Sequence, residues 1–155
     1  MHGQIDLVST TAIYPVAIGL DAGKHTGFAV YDRVSRELTD VKETNFAAAI
    51  WEITEKYPRA IIVIELPNNK HVWHKASGGT TGIQRTAVNV GSVLREAELL
   101  RDTLAYIGKR RGHDYEIRTV HPQGKIDADK FRRITGHSGR INQHCRDAAL
   151  LVWGV

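Results

Sequence analysis

Apolar residues in this chain first follow the short, dense pattern of strands and then recur at helical spacing. Strand-like runs are predicted over residues 16–22, 26–32, 60–66 and 115–120, with a weaker one near 37–43. Helical spacing predicts helices over residues 45–57, 82–111, 127–134 and 141–153. This order predicts an α/β fold, in which a five-stranded mixed sheet has three antiparallel strands followed by parallel ones and is flanked by helices.

The length of 155 residues predicts one domain, which we place at 16–155 after a leader of residues 1–15. No apolar run approaches the ~20 residues that span a bilayer, and the N-terminus lacks the pattern of a signal peptide. Cys145 is the only cysteine, which excludes a disulfide framework and a cysteine-based zinc site. We therefore expect a cytoplasmic protein without a membrane partner.

Positive charge is concentrated in the last third of the chain. Residues 1–108 contain 11 Lys or Arg and 12 Asp or Glu, a net charge of −1, whereas residues 109–155 contain 10 and 5, a net charge of +5. This asymmetry is typical of a protein that binds a polyanion such as nucleic acid, and equally of a solvated basic surface. Part of the charge, at Lys109, Arg110 and Arg111, also suits the C-terminal end of a helix.

Acidic residues stand at the ends of two strands that otherwise look buried. Asp21 ends the first strand and Glu65 ends the most apolar one, and each would cost free energy there unless it were paired or bound to a metal. Asp21 alone is more typical of a turn-capping residue beside Gly23. On the last helix, His144 and Asp147 are three residues apart and share a face. If the two strands are neighbours, all four side chains converge at one sheet edge.

Three converging carboxylates repel one another unless cations neutralise them. Hard oxygen ligands of this kind suit Mg²⁺, for which Mn²⁺ is a substitute. Two such ions can hold the attacking and leaving oxygens of a phosphodiester in line. The residues therefore predict metal-dependent phosphodiester hydrolysis, with the carboxylates of Asp21, Glu65 and Asp147 as ligands of the ions.

The sequence resembles the RuvC-type Holliday junction resolvases of the RNase H-like superfamily from Val16 onward. The resemblance rests on the segments at residues 18–23, 26–29, 63–65 and 144–149. It implies an RNase H-like fold and an active site formed by Asp21, Glu65, His144 and Asp147. For His144 it implies a metal ligand or a group that helps to activate water. Ala22 departs from the family, which usually has Pro at that position.

The same resemblance implies a homodimeric endonuclease that nicks four-way DNA junctions at symmetric positions. The segment at residues 120–125 resembles the family's segment with lysines that contact DNA. The expected DNA contacts are Lys70, Trp73, Lys75, Lys125 and Arg140. Of these, Trp73 fits a base-stacking residue and a packed loop anchor equally well, and the loop at residues 67–81 diverges from the family.

The predicted helix over residues 82–111 has more apolar surface than one sheet face needs. Val88, Val93 and Leu99 lie off its main apolar stripe, and Gly91 would allow close approach of a second helix. We therefore expect the dimer to form there. Two other functions remain open, namely a non-catalytic protein of this fold that binds branched DNA and a related nuclease that acts on RNA.

Overall fold

The computed structural model describes residues 14–67 and 79–155. Most of the predicted leader and most of the loop after the fourth strand therefore lie outside the described residues. The strands are β1 (Val16–Asp21), β2 (Thr26–Asp32), β3 (Glu37–Thr44), β4 (Arg59–Glu65) and β5 (Asp114–Val120). The helices are α1 (Phe46–Lys56), α2 (Gly79–Arg111), α3 (Ala128–Thr135) and α4 (Gln143–Val152).

The five strands form one mixed sheet in the order β3-β2-β1-β4-β5. Strand β2 is antiparallel to both β1 and β3, whereas β1, β4 and β5 are parallel to one another. The prediction of an α/β fold with a five-stranded mixed sheet flanked by helices is confirmed.

Each face of the sheet is covered by a different pair of helices. Alternate residues of β1 and β4, such as Ile18 and Ile62, pack with α1 and α2. The intervening residues, such as Ala17 and Val63, pack with α3 and α4. Both faces of the central strands are thus buried, which explains why their sequence is apolar without alternation.

The helix ends follow local capping rules, with small corrections to the predicted bounds. The side chain of Asn45 accepts a hydrogen bond from the amide of Ala48, as expected for the cap of α1. Helix α4 begins two residues later than predicted, because the side chain of Asn142 caps it by accepting from the amide of Cys145. Helix α2 begins by Gly79, so it is longer than predicted. No helix in the described ranges is long and apolar enough to cross a membrane.

Two glycines allow α4 to lie directly on the sheet. A Cβ atom at Gly19 in β1 would be 2.0 Å from the carbonyl oxygen of Ala148. A Cβ atom at Gly27 in β2 would be 2.0 Å from the carbonyl oxygen of His144. Both distances are far inside van der Waals contact, so any side chain at these positions would push the helix away.

We predict that Gly19→Ala and Gly27→Ala each lower the free energy of unfolding by about 3 kcal/mol or more, because the backbone of α4 must move. Gly91→Ala is the control, since a Cβ atom there has nothing within 4 Å. It should instead raise helix stability by about 0.5–1 kcal/mol. Urea denaturation of the three variants measures these values, and equal effects at Gly19 and Gly91 would contradict the close packing.

Candidate active site

The two acidic strand ends meet in the structure. Asp21 is paired in register with Glu65 across the parallel strands β1 and β4. Side chains alternate between the two faces along a strand, and Asp21 and Glu65 are each two residues after a residue on the α4 side, Gly19 and Val63 respectively. Both side chains therefore belong to the face that α4 covers. The expectation that Asp21 and Glu65 lie side by side is met, and the cause is the crossover that makes β1 and β4 neighbours.

Helix α4 places its polar side chains over the same edge. The Nδ1 atom of His144 lies 2.8 Å from Oδ2 of Asp21. An ionised carboxylate can only accept, so Nδ1 of His144 is the donor in this contact, and Nε2 is the ring nitrogen that is not committed to Asp21. The His144 side chain is half exposed, whereas that of Asp21 is 13% exposed. The site therefore presents one accessible imidazole above a nearly buried carboxylate.

Asp147 joins the cluster one turn further along α4. Its carboxylate accepts a hydrogen bond of 2.5 Å from Nε2 of Gln143, one turn earlier in the same helix. Its negative charge acts on both strand carboxylates and raises the pKa of Asp21 and of Glu65. The structure thus brings together all four residues predicted for the catalytic site.

The electrostatics of the cluster are unfavourable for three ionised carboxylates. Burial, followed by the charges of Asp21 and Asp147, raises the pKa of Glu65 from 4.5 to about 7. Burial also raises the pKa of Asp21, although its hydrogen bond to His144 opposes this shift. Excess negative charge at this edge is therefore the main electrostatic feature of the site.

A lysine and an open cavity border the carboxylates. Burial raises the pKa of Asp21 and of Glu65, and the positive charge of the exposed Lys125 opposes part of both shifts. A cavity of about 330 Å³ adjoins Glu65 and Asp147. Its other lining residues are Val120, Gln123, Gly124, Leu150 and Leu151. The segment after β5 therefore forms one wall of this cavity through Gln123 and Gly124, and the expected DNA contact Lys125 is the next residue along the chain.

The start of α4 is fixed by contacts outside the catalytic set. Asn142, which caps the helix, also donates a hydrogen bond from Nδ2 to the carboxylate of Glu43 in β3. The other oxygen of Glu43 lies 2.7 Å from Nδ1 of His25 in the β1–β2 turn. These contacts hold the first turn of α4, and with it His144, against the sheet edge.

The donor set fits a hard divalent cation. Asp21, Glu65 and Asp147 supply carboxylate oxygens, and their mutual repulsion is what a bound cation would relieve. As the side chains stand, no three His, Cys, Asp or Glu within residues 14–67 and 79–155 are grouped tightly enough to hold an ion. In this arrangement Asp21 is hydrogen-bonded to His144, and Asp147 is hydrogen-bonded to Gln143.

The residues expected to contact DNA do not all lie beside the carboxylates. Arg140 lines a separate cavity formed by α3 and the start of α4. Lys70, Trp73 and Lys75 lie outside the described residues. Sequence reasoning missed Gln143 and Glu43, which position Asp147 and the start of α4. Glutamine at the first turn of a helix gives no sequence signal for such a role.

Comparison with known proteins leaves the family open. No protein-family model matches the chain, and no curated protein matches it in sequence. Functional inference therefore depends on the site itself.

We predict that Glu65→Gln stabilises the ion-free protein above pH 7. The folded pKa of about 7 exceeds the usual value of 4.5, so the folded state holds a proton that the unfolded state releases. Stability is therefore lost as pH rises from about 4.5 to about 7, and the amide removes this loss. The melting temperature of Glu65→Gln in chelator should exceed that of the wild type at pH 8 and match it near pH 4.

Glu52→Gln is the matched control, because this buried glutamate has the opposite environment. Hydrogen bonds from Lys42 and Lys56 lower its pKa despite the opposing effect of burial. Its charge therefore stabilises the fold at neutral pH, and Glu52→Gln should lower the melting temperature at pH 8. A decrease for both variants would contradict the assignment of unbalanced negative charge to Glu65.

Proposed function

We propose that the protein is a metal-dependent endonuclease that cuts four-way DNA junctions by hydrolysing phosphodiester bonds. The observation that carries the proposal is the meeting of Asp21, Glu65, His144 and Asp147 at one sheet edge. Burial, together with neighbouring negative charge, raises the pKa of Asp21 and of Glu65, and carboxylates perturbed in this way are typical of catalytic sites. The basic C-terminal third supplies the charge that a polyanionic substrate needs.

The fold supports the same proposal. A mixed sheet in the order β3-β2-β1-β4-β5, with acids at the ends of its two adjacent central strands, agrees with the RNase H-like fold that the sequence resemblance implies. We assign the chain to that fold as part of this proposal. The site lies at the carboxyl ends of parallel strands, where α/β sheets generally bind their ligands.

Each residue has a chemical role in the proposed reaction. Asp21, Glu65 and Asp147 would hold Mg²⁺, or Mn²⁺ in its place, which supplies charge neutralisation at the phosphate and a more acidic attacking water. Nε2 of His144 accepts the proton of that water, since Nδ1 is committed to Asp21. The water oxygen forms a new bond to phosphorus, the bond from phosphorus to one bridging oxygen breaks, and that oxygen takes a proton from solvent and leaves as a hydroxyl group. Lys125 contacts a phosphate beside the carboxylates.

The decisive assay compares three labelled substrates with Mg²⁺ present. These are a synthetic four-way junction, a linear DNA duplex of the same sequence and an RNA–DNA hybrid. We expect paired nicks in the junction and little cleavage of the other two. Preferred cleavage of the hybrid would identify a nuclease that acts on RNA. Tight junction binding without cleavage in Mg²⁺ or Mn²⁺ would identify a non-catalytic binder.

We predict that Asp21→Asn, Glu65→Gln and Asp147→Asn each reduce junction cleavage by at least about 10³-fold while junction binding is kept or strengthened. The amides keep the shape of the side chains and remove the negative charge that holds the cation. Thermal shift supplies a readout besides activity, because Mg²⁺ should raise the melting temperature of the wild type more than that of these variants. Loss of binding in step with cleavage would show that the carboxylates are structural.

The dimer belongs to the proposal, and α2 provides its interface. The helix has 33 residues, a length of about 50 Å, yet Ala97 is the first buried residue among those whose side chains are described. In the preceding part, Val88 is 71% exposed, and Gly91 has open space around it. The N-terminal half of α2 thus lacks a partner within the described residues. A two-fold copy of the same helix would cover it and would supply a second active site for the opposite strand.

We predict that Gly91→Glu converts the protein to a monomer, because it places a charge at the closest approach of the two helices. The position is open in the single chain, so the variant should keep its fold. Ala105→Glu is the control, at an exposed position in the half of α2 that packs on the sheet. Sedimentation gives the mass, and a supercoiled cruciform plasmid reports whether both strands are cut in one binding event. A wild type that is monomeric at micromolar concentration with DNA bound would contradict the dimer.

A further inference from the structure

A second cavity lies beside α4, away from the carboxylates. It has a volume of about 400 Å³ and lies between α3 and the segment that leads into α4. Three arginines and a serine hydroxyl give it its polar character, and Phe131 and Ile141 form part of its wall. The arginines are Arg132, Arg140 and Arg146, and the hydroxyl belongs to Ser138.

Arg146 is the best-fixed of the three arginines. Its Nη1 donates to the carbonyl oxygen of Ile141 at 3.0 Å, and its Nη2 donates to Oε1 of Gln143 at 2.7 Å. Its Nε is buried and has no hydrogen-bond partner among the described residues. A guanidinium has five N–H donors, and two of those in Arg146 have acceptors among the residues that the structure describes. The group is held in place but its hydrogen bonding is incomplete.

The charge of the cavity is also unbalanced. Both acceptors of Arg146 are neutral, and no ion pair joins Arg140 or Arg146 to a carboxylate among the described residues. Arg132 is paired with Asp129 at 3.2 Å, in a contact whose two side chains are largely exposed. Among the residues that the structure describes, the lining of the cavity thus contains three guanidinium groups and no carboxylate. Such an arrangement favours an anion with several acceptor oxygens, and arginine matches phosphate geometry especially well.

The cavity is connected to the catalytic carboxylates through one side chain. Gln143 accepts from Arg146 with Oε1 and donates to Asp147 with Nε2. Its amide therefore cannot rotate without losing both contacts. A ligand that reorients Arg146 acts on Asp147 through this amide, so occupancy of the basic cavity and the position of a catalytic carboxylate are coupled.

We propose that this cavity binds a phosphate group of a nucleic-acid backbone, with Arg146 and Arg140 as its main ligands and Gln143 as a positioning residue that links it to Asp147. The inference rests on the proposed function for the identity of the ligand, since the cavity chemistry alone fits any phosphate. The strand that enters the carboxylate site would place one of its other phosphates here. A substrate would thereby be held on both sides of α4.

The experiment uses the isotope-labelled full chain without divalent ions, so that no cleavage is needed. The arginine Nε–H signals are followed by NMR while a short single-stranded oligothymidylate or inorganic phosphate is added. We expect the oligonucleotide to shift the signals of Arg140 and Arg146 at lower concentration than inorganic phosphate does. Binding of inorganic phosphate alone would assign the cavity to a free phosphate ligand and would overturn the proposal, as would the absence of both shifts.

Variants test the same site by affinity. Arg140→Gln and Arg146→Gln should each weaken oligonucleotide binding about tenfold at low salt. Each should also lower the slope of log affinity against log salt by about 0.7, the value for one phosphate contact of a single strand. Arg133→Gln is the matched control, because this exposed arginine of α3 does not line the cavity. Its affinity and slope should stay close to those of the wild type.

The Arg140→Gln variant can be tested even if Arg146→Gln does not fold. Arg140 is exposed, so its replacement should leave the fold intact. Equal effects of Arg140→Gln and Arg133→Gln would mean that the basic surface acts only by its overall charge, and would overturn the proposal. Failure of this site and failure of the nuclease are distinguishable. If the cavity binds the oligonucleotide but the protein cuts no junction, the phosphate site is supported and the proposed nuclease is wrong. If the protein cuts junctions and Arg140→Gln does not affect cleavage, the nuclease is supported and the phosphate site is wrong.

Coupling to the carboxylates has its own readout. Gln143→Leu removes both amide contacts while roughly keeping side-chain volume. In this variant the oligonucleotide should still shift the NMR signal of Arg140. It should no longer change the NMR signal of the Asp147 carboxyl carbon. Persistence of the Asp147 response in this variant would show that Gln143 is not the link.

Discussion

The close contact between α4 and the sheet is the constraint on which the site depends. Helices usually stand about 10 Å from a sheet, with side chains filling the space between them. Here Gly19 and Gly27 remove those side chains, and the backbone of α4 lies against β1 and β2. Only this approach lets Nδ1 of His144 reach Asp21 at the strand end. The two glycines take no part in the chemistry of the site, but they determine how close His144 comes to Asp21.

The same closeness creates the electrostatic conflict. Bringing Asp147 over a sheet edge that already holds Asp21 and Glu65 excludes water and adds a third negative charge, so the pKa of Glu65 rises to about 7. The fold does offer balanced carboxylates elsewhere, as the contacts of Glu52 with Lys42 and Lys56 show. The carboxylates at the strand ends have no comparable set of lysine partners among the described residues. This unbalanced negative charge is the physical reason to regard the cluster as a functional site.

Sequence patterns predicted what depends on local periodicity and on strand direction. The apolar run of β4 and the helical spacing of α1 and α2 gave the order of elements, and Glu65 stood out because it interrupts a buried strand. The register that pairs Asp21 with Glu65 required knowledge of which strands are neighbours. The contacts of Gln143 and Asn142 were not predictable, because each polar side chain serves a partner that is determined by helix phase or by the distant strand β3. The sequence shows a glycine at position 19, but it does not show why glycine is needed there. The cause is close packing against a helix more than a hundred residues further along the chain.

The two cavities beside α4 give that helix two chemically opposite surroundings. Asp147 belongs to the carboxylate cluster, whereas the preceding residue, Arg146, lines the basic cavity. Consecutive residues of a helix point about 100° apart, so one short helix can present an anion to a cation site and a cation to an anion site. Gln143 bonds to both and holds their side chains in a fixed relation. Both surroundings agree with the substrate that we propose, because a phosphodiester strand carries repeated negative charges. Its reacting phosphate would need cations between itself and the carboxylates, whereas a neighbouring phosphate could bind the arginines directly.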